Sequence, residues 1–161
     1  MAATSKAGET TFTTPSEREI TMTHVVDAPR ALVFEAHTSV EHVPHWMLGP
    51  SGWTMPVCEI DLRPGGAWRF AWRREDGSEM ELRGEYREIE PPARLVNTEC
   101  WGGDWPEALV TTTFEEEDGQ TTITSTVLYP SEEARDRAAG TGMKDGWAAG
   151  YDSLDRYLAD L

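Results

Sequence analysis

The alternating run around Pro64-Gly65-Gly66 constrains this chain more than any other stretch. In PVCEIDLRPGGAWRFAW, residues 56–72, Cys58, Ile60 and Leu62 alternate with Glu59, Asp61 and Arg63 before the break. Trp68, Phe70 and Trp72 then alternate with Arg69, Ala71 and Arg73 after it. Period-two alternation on both sides of a Pro-Gly-Gly turn predicts a β-hairpin with one apolar face. Three large rings on the second strand make that face a wide ridge. Such a ridge needs a covering layer, and the amphipathic stretch at the far end of the chain supplies one.

That stretch carries Met143, Trp147, Gly150, Tyr151, Leu154, Leu158 and Leu161 at spacings of three and four, with Lys144, Asp145, Asp152, Asp155, Arg156 and Asp160 elsewhere around the turn. The spacing predicts a helix with a single apolar stripe. Ser131 with Glu132 and Glu133 starts a helix before it, interrupted at Gly140 and Gly142.

The remaining segments read mostly as strands. Ile20, Met22, His24 and Val26 alternate in EREITMTHVV, residues 17–26, and Asp27-Ala28-Pro29 then resembles the start of a short helix carrying Leu32, Val33, Ala36 and His37. A second helical turn is expected near His45-Trp46, and Gly49-Pro50-Ser51-Gly52 is a loop. Met80, Leu82, Gly84 and Tyr86 alternate until Ile89, where the phase slips by one and predicts a bulge. Leu95 to Trp101 is a further strand, followed by the loop Gly102-Gly103-Asp104-Trp105-Pro106. Two strands joined across Glu117-Asp118-Gly119-Gln120 complete the set.

Residues 1–16 are small, polar and Thr-rich, and are expected to be a flexible tail; residues 17–161 are expected to form one domain. The predicted class is α+β, with a curved antiparallel sheet of six to seven strands around a long C-terminal helix and two short helices after the first strand. A twisted sheet cannot touch a straight helix along its whole concave face, so space for a ligand arises between them.

Composition narrows the partners. Fourteen Lys and Arg against 29 Asp and Glu give a net charge of −15, which repels nucleic-acid phosphates and anionic lipid headgroups. Cys58 and Cys100 show no CxxC spacing, and no apolar run approaches the roughly 20 residues of a membrane span. A reduced cytoplasmic protein is expected, with no membrane insertion, as monomer or homodimer. His42 and His45 are separated by Pro44 and have no third Cys or His nearby, so they read as solvated helix-end histidines; no metal and no cofactor are expected.

Four separated strings resemble a known family: DLRPGGAWRF at residues 61–70, HWMLGP at 45–50, IEPPARL at 89–95 and GWAAGYDSLDRYL at 146–158. They are similar to the bacterial family named after the activator of the 90-kDa heat-shock protein ATPase. That family lies within the START-like, polyketide-cyclase type of helix-grip proteins. The resemblance covers residues 17–161 and implies the helix-grip fold with a deep apolar cavity. It also implies several alternative activities, because this scaffold hosts lipid carriers, cyclases and co-chaperone domains.

The candidate ligand-binding residues are Trp46, Trp53, Met55, Trp68, Phe70, Trp72, Tyr86, Trp101, Trp105, Trp147, Tyr151 and Leu154. Trp46, Trp53, Trp101 and Trp105 sit at or beside loops and are expected at the mouth, whereas Trp68, Phe70 and Trp72 face Trp147, Tyr151 and Leu154 across the interior. The expected function is non-catalytic binding of a hydrophobic or aromatic small molecule, lipid-like or polyketide-like. The alternatives are a protein-interaction module acting on a chaperone, and a cyclase- or hydrolase-like enzyme using His24, Tyr86 and Tyr151 as its titratable groups.

Overall fold

The computed structural model describes residues 7–48, 52–102 and 105–161. Residues 1–6 of the expected tail, Gly49 to Ser51 of one expected loop and Gly103-Asp104 of another lie outside the described residues. In order, the elements are β1 (Thr10–Thr13), β2 (Glu19–Val26), α1 (Arg30–Thr38), α2 (Val43–Trp46), β3 (Trp53–Ile60), β4 (Ala67–Arg74) and β5 (Glu79–Glu90). There follow β6 (Arg94–Glu99), β7 (Ala108–Glu117), β8 (Gln120–Leu128), α3 (Glu132–Ala139) and α4 (Met143–Ala159).

Among the described residues the strands form one eight-stranded antiparallel sheet in the order β1-β2-β8-β7-β6-β5-β4-β3. The α+β class is as expected, with one strand more. The added strand is β1, and it corrects the expectation of a free tail: Thr10 to Thr13 pair with His24 to Thr21 along the open edge of β2. Thr and Phe favour extended backbone, and an edge strand needs only one row of hydrogen bonds to form.

The hairpin forms as its alternation requires. Cys58 pairs with Phe70 and Ile60 with Trp68, while Trp68, Phe70 and Trp72 are all buried. Gly65 takes the positive φ of 83° that the turn demands, and Leu62 lies beyond the strand, 42% exposed. The outward residues pair in charge: Arg69 with Glu59 and Glu81, Arg73 with Glu79, Arg87 with Glu85. The predicted bulge falls at Arg87, where the β5–β6 register slips between Tyr86 and Glu88.

Two helix starts behave differently. Ser131 caps α3 by accepting a 3.1 Å hydrogen bond from the Ala134 amide. Asp27 does not cap α1; Pro29 occupies that position, with no side-chain cap.

Two apolar clusters form on the inner face. The larger joins Phe34 and Trp46 from the short helices, Trp68, Phe70, Trp72, Leu82, Tyr86 and Leu95 from the sheet, and Tyr151, Leu154 and Leu158 from α4. The smaller holds Ile20, Met22, Ala108, Val110, Val127 and Tyr129 under α3, with Trp105 and Met143 against it. Trp147 packs against both.

His24, fully buried, ties the sheet to α4. Its Nε2 lies 2.8 Å from Oδ1 of Asp155, its Nδ1 lies 2.6 Å from Oγ1 of Thr10, and its ring stacks on Tyr151 at 4.6 Å. It is thus a core histidine with both nitrogens partnered. His42 corrects the expectation of a solvated helix end: its Nδ1 sits 2.6 Å from the Tyr157 hydroxyl, and exposed His45 stacks on the same ring at 5.3 Å.

Gly84 marks the closest approach within the sheet. A Cβ there would overlap the Thr98 carbonyl oxygen and come within 2.7 Å of Cζ2 of Trp68, its partner on β4. Gly150, buried within α4, has open space where a Cβ would go. We therefore expect Gly84→Ala to lower unfolding free energy by about 3 kcal/mol, and Gly150→Ala to raise it by up to about 1 kcal/mol. Paired denaturant titrations check both; equal effects would refute this account of Gly84.

Candidate functional site

The twelve candidate residues divide sharply. Trp46, Trp68, Phe70, Trp72, Tyr86, Tyr151 and Leu154 are at most 6% exposed and belong to the larger cluster. For Trp46 this corrects the expectation of a mouth position. The ring is 1% exposed, and its Nε1 donates to the Ala36 carbonyl at 2.8 Å, pinning α2 onto α1. Trp72 likewise donates to the Met47 carbonyl at 2.7 Å.

The accessible candidates are Trp53, Met55, Trp101, Trp105 and Trp147. Trp53 and Met55 are half-buried at the start of β3, with the Arg74 guanidinium 5.1 Å above the Trp53 ring. The other three lie apart, Trp101 beside β4, Trp105 against α3 and Trp147 on α4. Trp101 is 41% exposed and stacks on Trp72 at 5.8 Å. Trp105 lies under the Arg137 guanidinium at 3.9 Å, and Trp147 reaches from α4 to 5.8 Å from the Tyr151 ring.

Between these rings the two apolar clusters are divided by polar residues. Asn97 and Glu99 on β6 point inward: Asn97 pairs across to Tyr86 and Val110, and Glu99 pairs with Ala108. Arg83 bridges Cys100, which sets Gly84 opposite Glu99, and Trp68 opposite Gly84 on the far side. One lateral row thus reads Trp68, Gly84, Glu99, Ala108, with Tyr129 a strand further. A carboxyl stands at the seam between two cores.

The sequence reading names only His24, Tyr86 and Tyr151 as interior titratable groups and misses Glu99. The signal was present, since Leu95, Asn97, Glu99 and Trp101 share one strand parity. Glu99 is 9% exposed, and burial pushes its carboxyl up to about 7, partly offset by the Trp101 indole, which donates to it. No basic side chain pairs with it among the described residues. His37, buried against Trp46 and Phe114, is driven the other way, down to about 4, because burial penalises its charged form.

The two phenols stay neutral at ordinary pH. Burial raises Tyr86 well above the usual phenol range and pushes Tyr151 up to about 12. The Tyr151 hydroxyl has no hydrogen-bond partner, since the neighbouring Ser125 hydroxyl pairs with Thr112 at 3.0 Å. The Trp68 indole nitrogen and Nε2 of His37 are also buried and unpartnered. Among the described residues no group of three or more His, Cys, Asp or Glu is placed to hold a metal ion. No described helix is long and apolar enough to cross a membrane.

A groove of about 470 Å³ lies on the outer face of the sheet, lined in part by Glu59, Arg69, Arg83, Glu85 and Arg87. Its lining is mainly charged, although Trp68 and Gly84 also border it, whereas most of the ring set packs on the opposite face.

A curved antiparallel sheet closed by a C-terminal helix, with two short helices inserted after β2, defines a START-like helix-grip protein. The chain belongs to the family described as Activator of Hsp90 ATPase homolog 1-like protein, which matches residues 27–159. A Rhodobacter sphaeroides protein of known structure is similar over 95% of this chain and 99% of its own, with 29% identity and a TM-score of 0.88. A Nitrosomonas europaea structure shares the fold at 20% identity and a TM-score of 0.81, covering 91% of this chain and 97% of its own. A Silicibacter pomeroyi protein of the same family name does so at 19% identity and a TM-score of 0.71, covering 88% of this chain and 97% of its own. No functionally curated protein matches the chain.

The Glu99 environment has a measurable sign. A carboxyl raised from 4.5 to about 7 holds its proton more tightly when folded. Its contribution to stability is complete below the unfolded value and is lost as pH rises through 7. Glu99→Gln should therefore gain on the order of 2 to 3 kcal/mol over wild type at pH 8 relative to pH 5. Urea unfolding at the two pH values measures the gain, and a difference independent of pH would show that the carboxyl is not buried as described.

Proposed function

We propose that the protein binds a hydrophobic, ring-bearing small molecule between the sheet and α4, without chemistry. The observation that carries this reading is the seam on β6: two apolar clusters stop at Asn97 and Glu99, and Trp147 spans them from the helix. Polar side chains facing the interior between apolar walls orient a ligand rather than complete a core. Trp101 and Trp105 stand at the rim, and Trp53 and Met55 at a separate edge. The deeper rings form the rigid wall behind them. Membership of the helix-grip class supports the reading, since this fold is consistent with ligand binding. On this reading the working unit is the sheet with β1 included, residues 10–161, acting in the cytoplasm as a monomer or homodimer.

A second reading, contact with a chaperone or other protein, is favoured by the family description and by the charged groove on the outer face. The two readings use opposite faces of the sheet. A titration with fatty acids, sterols, flavonoids and aromatic polyketides, followed by amide shifts and tryptophan fluorescence, separates them. Saturable shifts centred on Asn97, Glu99, Trp101 and Trp147 are expected, and Trp147→Ala should weaken the best ligand about tenfold. Absence of any saturable response would transfer the assignment to the outer face.

A further inference from the structure

The interior indoles are not treated alike. Trp46 and Trp72 each donate to a backbone carbonyl at 2.8 and 2.7 Å, whereas the indole nitrogen of Trp68, 5% exposed, has no partner. Leaving such a donor unpaired inside a protein is unfavourable, so it calls for an acceptor. The register places Trp68 and Glu99 on either side of Gly84, and Cζ2 of the Trp68 ring comes within 2.7 Å of where a Gly84 Cβ would stand. No side chain of β5 stands between the indole and the carboxyl.

Glu99 accepts from the Trp101 indole and has no basic partner among the described residues, which leaves acceptor capacity on its two oxygens. A donor without an acceptor and an acceptor with spare lone pairs therefore stand on one sheet face, on the two strands that flank Gly84. We propose that the ligand is a ring-bearing alcohol or phenol whose hydroxyl oxygen accepts from the Trp68 indole N–H while its hydrogen is donated to the Glu99 carboxylate. This rests on the reading of the seam as a ligand site.

Other head groups match less completely. A ketone serves Trp68 alone, an ammonium offers no acceptor to the indole, and a ligand carboxylate is repelled by Glu99. The titratable and charged groups on the packed elements include Cys58 on β3, Tyr86 on β5, Tyr129 after β8, Tyr151 and the His24-bound Asp155 on α4, Arg137 of α3 over the Trp105 ring, and Lys144 of α4 over the Phe12 ring. An enclosed water would satisfy the same two groups, and it would confer no preference among aromatic ligands.

The test compares 2-naphthol, 2-methylnaphthalene and 2-naphthoate at pH 8 by calorimetry, with the indole N–H resonance of Trp68 followed by NMR. For wild type we expect the naphthol to bind at least about tenfold more tightly than the methyl compound. Naphthoate is expected to bind weakest. Only the naphthol should shift the Trp68 N–H signal downfield. Glu99→Met and Trp68→Phe should each bring the naphthol-to-methyl ratio within about threefold of unity. If either variant does not fold, the other variant and the wild-type indole shift decide. Equal binding of naphthol and methylnaphthalene would overturn the hydroxyl assignment and leave the ligand site standing. A naphthol preference that survives both substitutions would overturn it too. If all three probes fail to bind, this assignment falls, and a blank result across the broader ligand panel would take the site with it.

Discussion

The structure depends on how one amphipathic helix meets a sheet too strongly curved to follow it. Helix α4 lays Tyr151, Leu154 and Leu158 onto the larger cluster and carries Trp147 across to the smaller one. Burying those side chains is worth on the order of 1.5 to 3 kcal/mol each, which makes the helix a principal fastening of the fold. A straight rod against a twisted surface makes good contact in patches. The division of the interior into two clusters follows from that geometry.

Polar chemistry inside the protein is arranged around the same division. In the larger cluster several nitrogens are taken up by the chain itself: Trp46 ties α2 to α1, Trp72 holds the end of α2 against the sheet, and His24 joins three elements, while Nε2 of His37 stays unpartnered. At the seam the pattern changes, and Trp68 and Glu99 face each other's neighbourhood across a glycine without pairing. The sheet's outer face shows the opposite economy, with Arg69, Arg73 and Arg87 each matched by glutamate in solvent. Exposed pairs of this kind add little to stability and mainly keep the surface hydrated.

Much of this arrangement can be read from the chain. The hairpin at Pro64-Gly65-Gly66, the bulge before Ile89, the Ser131 cap and the α4 stripe are local, and each rests on spacing that a neighbouring turn or pleat translates directly into structure. Strand β1 was not legible, because four Thr-rich residues become a strand only when an unpaired edge is beside them. Trp46 was misplaced for a related reason: its neighbours in sequence suggest a loop, but the carbonyl that receives its indole is ten residues earlier on another helix. Glu99 lay on a visible parity, yet burial of a carboxyl depends on which strands flank it, and that pairing is tertiary.

Strand β1 has a bearing on how this protein behaves in concentrated solution. With β1 in place, Thr21 to His24 of β2 are paired on that side, and β1 presents an edge of four residues with threonine at three of them. A chain lacking those residues would present the eight-residue β2 as a bare template for strand addition by another molecule. It would also leave Nδ1 of a buried histidine without its threonine. The short N-terminal strand thus covers an edge as well as forming part of the fold, and shortening the chain there would open the β2 edge to strand addition by another molecule.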